Sequence, residues 1–69
     1  MKAYYVKYRL DGIYSKVSGI QVPADNKTEA LDKATYELIP QKEGTLPFMA
    51  WVNSVTYNNG RVHYFDTLK

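Results

Sequence analysis

The chain has 69 residues, with nine lysines and arginines against seven aspartates and glutamates, one histidine and no cysteine. A chain of this length makes one domain, residues 1–69, that buries only about 60% of its unfolded surface. The missing cysteines exclude disulfides, thiolate metal sites and cysteine nucleophiles together, and no apolar run is long enough to span a bilayer as a helix.

Taken from its start, Met1-Lys2-Ala3-Tyr4-Tyr5 has no long apolar run behind it and does not resemble a signal peptide, so the cytoplasm is the expected location. The first strand alternates from Lys2 to Leu10, with Tyr4, Val6, Tyr8 and Leu10 on one side and Tyr5, Lys7 and Arg9 on the other. Asp11-Gly12 suits a two-residue hairpin turn, which pairs Leu10 with Ile13, Tyr8 with Ser15 and Val6 with Val17. In that register Ile20 and Val22 have the wrong parity for the core. A β-bulge at Ser18-Gly19 is therefore expected to bring them back, and Pro23 closes the strand.

Asn26-Lys27-Thr28-Glu29 signals a helix start, with Asn26 accepting from the Glu29 N–H and the Glu29 side chain reaching back to the N–H of the cap residue. Ala30, Leu31, Ala34 and Leu38 form an apolar stripe. Glu29, Asp32, Lys33 and Tyr36 lie opposite it, and Glu29–Lys33 is spaced to pair. Pro40 is expected to end the helix at Leu38 or Ile39, leaving residues 40–47 as a polar loop.

A third strand is read from Phe48 to Tyr57 and a fourth from Arg61 to Leu68. Asn59-Gly60 as a two-residue turn pairs Tyr57 with Val62 and Val55 with Tyr64. It gathers Trp51, Val55, Tyr57, Val62, Tyr64 and Leu68 on one face, with Ala50, Val52, Ser54, Thr56, His63 and Phe65 on the other. A three-residue loop that includes Asn58 shifts this register by one and reverses every side chain of the fourth strand. The two-residue turn is preferred because it groups the larger side chains, with Trp51 as a core anchor.

Hairpin, helix and hairpin give an α+β fold, a two-layer β-β-α-β-β sandwich. One helix covers one face of a largely antiparallel four-stranded sheet of order 2-1-3-4. The other face is left open, carrying Tyr5, Lys7, Arg9, Tyr14 and Lys16 from the first hairpin and, in the preferred register, Thr56, His63 and Phe65 from the second. Rings interleaved with cations can stack bases and neutralise phosphates. Tyrosine also simply favours strands, and lysine keeps open sheet faces soluble. Charge is unevenly shared. Residues 1–22 hold Lys2, Lys7, Arg9 and Lys16 against Asp11 alone, whereas residues 23–46 hold five acids against three lysines. The net charge of +2 is lower than a nucleic-acid binder normally carries.

No catalytic or metal constellation is present. His63 has no second histidine or cysteine to share a metal with, and Asp66, three residues further along a strand, faces away from it. The four glycines never cluster into a phosphate-binding loop. Tyr36, rimmed by Glu29 and Asp32, is a secondary candidate for a protein contact. No cofactor and no enzymatic activity are expected.

The run Ile20-Gln21-Val22-Pro23-Ala24-Asp25, followed by Glu29-Ala30-Leu31-Asp32-Lys33-Ala34, resembles the strand-to-helix junction of the DpnD/PcfM-like group of mobile-element proteins. That resemblance, about twenty residues long, implies a small accessory protein of a phage or mobile element and carries over no enzymatic role. The expected function is non-enzymatic binding of a macromolecular, protein partner, with self-association through a sheet edge or the open face. The alternative is single-stranded nucleic acid binding through Tyr5, Tyr14, Lys7, Arg9 and Lys16.

Overall fold

The computed structural model describes residues 2–65. Strands β1 (Lys2–Arg9) and β2 (Val17–Ala24) are followed by a helical segment and then by β3 (Met49–Thr56) and β4 (Val62–Tyr64). Every pairing is antiparallel and the sheet order is β2-β1-β3-β4, as the sequence predicts. The helical segment packs against one face of the sheet, giving the two-layer α+β architecture.

Both hairpins differ from their expected registers. In the first, Lys2 pairs with Ala24 and Arg9 with Val17, so residues 10–16 form the loop and the two-residue turn is not used. Gly12 still takes a positive φ of 126°. The loop is held by the Ser15 hydroxyl, which donates to the Gly12 carbonyl at 2.7 Å, and by the Arg9 guanidinium, which donates to the Ser15 carbonyl. The longer loop sets Ile20 opposite Val6 and Val22 opposite Tyr4 without a bulge at Ser18-Gly19.

The sheet's bulge lies elsewhere, between β1 and β3. Tyr5 pairs with Ser54 and Val6 with Val52, so Asn53 has no partner on β1. Its carbonyl instead accepts from the Phe65 N–H at 2.9 Å. Because of that extra residue, Val52 and Val55 both reach the helix-covered face, opposite Val6 and Tyr4. Trp51 pairs with Lys7 on the other face, so it is not the core anchor expected of it.

The second hairpin adopts the less-favoured of the two registers, with Thr56 opposite Val62 and Val55 opposite His63. Asn58, Asn59 and Gly60 form a three-residue loop. The Gly60 N–H donates to the Tyr57 carbonyl at 2.9 Å, and Gly60 itself sits at φ 86°. This is a turn followed by a left-handed residue, the usual form of three-residue hairpin loops. Leu68 lies outside the described residues.

The helix starts as predicted. Asn26 Oδ1 accepts from the Glu29 N–H at 2.8 Å, although the Glu29 carboxylate reaches the N–H of Asp25 and not that of the cap residue. Lys33, expected to pair with Glu29, donates to the Pro23 carbonyl at 3.0 Å. Pro40 does not end the segment. α1 (Lys27–Lys33) passes through a π-helical turn (Ala34–Leu38) into α2 (Ile39–Glu43), which stops at Gly44 in the left-handed conformation, φ 82°. The widened turn spaces the buried residues as Ala30, Ala34 and Ile39, so Ile39 takes the core position expected of Leu38. The expected polar loop of residues 40–47 shrinks to 44–48.

The core consists of Tyr4, Val6 and Tyr8 from β1, Val22 and Ala24 from β2, Val52 and Val55 from β3, and Ala30, Ala34 and Ile39 from the helical segment. Tyr8, fully buried, donates its hydroxyl to Glu43 Oε2 at 2.5 Å and so ties β1 to the end of α2. Burial and the neighbouring carboxylate push the Tyr8 phenol up to about 12.

Candidate functional site: the open sheet face

Strand alternation and the Asn53 bulge together decide what the uncovered face displays. β1 contributes Tyr5, Lys7 and Arg9. Lys7 lies between Gly19 and Trp51, Arg9 between Val17 and Met49, and Tyr5 between Gln21 and Ser54. β4 adds Tyr64, opposite Ser54 and 71% exposed, and Val62, opposite Thr56. The face thus presents three aromatic rings, two cations and a methionine. No carboxylate projects from its strands among the described residues; Glu29, Asp32, Glu37 and Glu43 are on the helical segment, Asp11 is in the first loop and Asp25 lies between β2 and α1.

Gly19 explains how Tyr5 lies. A Cβ at position 19 would run into the Tyr5 phenol, so the ring extends across β1 towards β2 and covers the glycine backbone. An aromatic ring laid over a strand glycine shields a backbone stretch that has no side chain of its own. The signal read as a bulge is therefore a seat for this ring.

Of the predicted face residues, Tyr5, Lys7 and Arg9 stand together as expected. Tyr14 and Lys16 do not join them. The longer first loop carries both, with Tyr14 94% exposed at the end of the sheet. His63 and Phe65 belong to the helix side, because His63 is opposite Val55. Their rings meet edge-on at 5.0 Å, and Phe65 packs against the core with the Lys27 ammonium 4.4 Å from its centroid. Trp51, Met49 and Tyr64 are the two rings and the methionine of this face that sequence reasoning missed. The cause is common to all three: a bulge and a one-residue register shift that reverse parity without a distinctive local residue.

Tyr36 is 68% exposed on the outer side of the helical segment and lines a shallow groove with Asn26, Glu29, Asp32 and Glu37. Among the described residues, no three His, Asp or Glu side chains gather to hold a metal ion, and no helix is long and apolar enough to cross a membrane. The histidine has no acid placed to orient it for base catalysis among those residues either; Asp66 lies outside them. No family model, curated protein or solved structure matches this chain.

Proposed function

We propose that this chain is a non-enzymatic binding protein that docks an acidic protein partner on its open sheet face. The observation that carries the reading is the composition of that face: Tyr5, Trp51, Tyr64, Met49 and Arg9 around Lys7, with no acid among them. Aromatic residues, methionine and arginine are the types enriched at protein interfaces. Trp51 and Tyr5, held on neighbouring strands, supply rigid apolar area at the centre, where binding energy concentrates. Lys7 and Arg9 would meet the partner's carboxylates and steer the encounter. The proposal includes a phage or mobile-element setting, which rests on the resemblance at residues 20–34 alone.

Single-stranded nucleic acid is the second reading, favoured by the absence of acids beside the rings. Two central cations neutralise few phosphates, and this ranks it below a protein.

The test uses the immobilised protein with host lysate, comparing wild type with Trp51→Ala, Arg9→Glu and the helix-side control Tyr36→Ala. A partner retained by wild type and Tyr36→Ala but lost by both face variants is the expected result. Equal retention by all four proteins would overturn the proposal. A fluorescent oligonucleotide that binds at low salt and is released by Tyr5→Ala with Trp51→Ala would replace it with the nucleic-acid reading.

A further inference from the structure

The two edges of the sheet are unlike. β4 offers three residues, whereas β2 offers eight, Val17-Ser18-Gly19-Ile20-Gln21-Val22-Pro23-Ala24, without a single charge. Long uncharged edges are what proteins normally guard against with lysine, proline or a covering segment.

Three observations fix which backbone groups of β2 point outward. The Arg9 carbonyl accepts from the Phe48 N–H, so the odd residues of β1 direct their polar groups towards β3 and the even ones towards β2. The even residues of β1 face Ser18, Ile20, Val22 and Ala24, which leaves Val17, Gly19, Gln21 and Pro23 turned away from the sheet. Pro23, which has no N–H, fits an outward position. Its carbonyl is taken by Lys33 at 3.0 Å. Among the described residues the free edge is therefore three residues wide in hydrogen-bonding terms: Val17, Gly19 and Gln21, symmetric about Gly19.

We propose that β2 pairs antiparallel with β2 of a second copy about a two-fold axis through Gly19. Val17 then faces Gln21 of the other copy, and Gly19 faces its own equivalent. Each of these pairs exchanges two N–H···O bonds. Ser18 and Ile20 of the two copies oppose each other on the helix side. The set is self-complementary, as a two-fold interface must be, and brings no like charges together. The axis stands normal to the sheet, so both helical segments share one face and both open faces join into one. The Tyr5 rings, which lie over the two glycines, meet at the centre of that joined face.

Sedimentation across a concentration series tests the pairing. Wild type should pass from 8.0 kDa to twice that mass. Gln21→Pro removes an outward N–H but no bond to β1, so it should fold, as read by circular dichroism, and dimerise at least ten-fold more weakly. Ser18→Cys with Ile20→Cys, in a chain with no cysteine of its own, should cross-link as a dimer under oxidation. A wild-type chain that stays monomeric at millimolar concentration would overturn the proposal. So would a dimer indifferent to Gln21→Pro. Trp51→Ala should leave the dimer intact, which separates this interface from partner docking on the face.

Discussion

The two faces of the sheet use the same residue types to opposite ends. On the helix-covered side Tyr4 and Tyr8 are almost wholly buried, with Val6, Val22, Val52 and Val55 filling the space between them. One residue along β1, Tyr5 sets its phenol end over a glycine beside two cations, and Tyr64 across the sheet is mostly in water. A tyrosine's role here is set by parity, because a strand turns successive side chains to opposite sides. Core-side changes should therefore register as stability, and open-side changes as binding.

The sharpest test of that division is Ile39→Ala, which empties a fully buried position under the sheet. It should cost about 2–5 kcal/mol in urea unfolding. A smaller loss than that range would mean that the helical segment is not the true cover of the core.

Tyr8→Phe comes next. It removes the hydroxyl donated to Glu43, a hydrogen bond to a charged group worth about 1.5–3 kcal/mol. Because the folded phenol is raised to about 12 from the ordinary value of 10, its contribution is complete below pH 10 and is lost as pH climbs through about 12. Wild-type stability should fall across that interval relative to Tyr8→Phe, as followed by urea titrations at each pH. Parallel curves for the two proteins would deny Tyr8 its role.

On the open side, Trp51→Ala should cost about 1–2 kcal/mol, since its ring, although on the open face, is more than half covered by its neighbours. A larger loss would place that ring in the fold's support and not on a docking surface. Gly19→Ala should destabilise by about 1 kcal/mol or less, because the new Cβ meets the far end of the Tyr5 side chain, which can swing aside, and not backbone. Most of that loss should disappear in a Tyr5→Ala background, measured as a double-mutant cycle. Additive effects would show that the ring does not rest on the glycine.

The strand order, the capped helix and the choice of covered face were legible in the sequence, because each rests on many residues agreeing at once. The turns were not. Asp11-Gly12 and Asn59-Gly60 favour tight turns, yet both accept longer loops once Ser15, Arg9 or a type I turn supplies the hydrogen bonds. Pro40 was a strong stop signal, but a widened turn just ahead of it lets the helical segment continue. Of the candidate face, Tyr5, Lys7 and Arg9 were found because β1 alternates without interruption. The contributions of β3 and β4 depended on parity beyond a bulge that no single residue announces.

Asn53 acts as a phase slip in an otherwise regular wave. On its N-terminal side the strand turns its largest ring, half-buried, to the open face; on its C-terminal side it turns a valine inward. Shortening β3 by that one residue would force both halves into step, and either Trp51 or Val55 would then be on the wrong side of the protein.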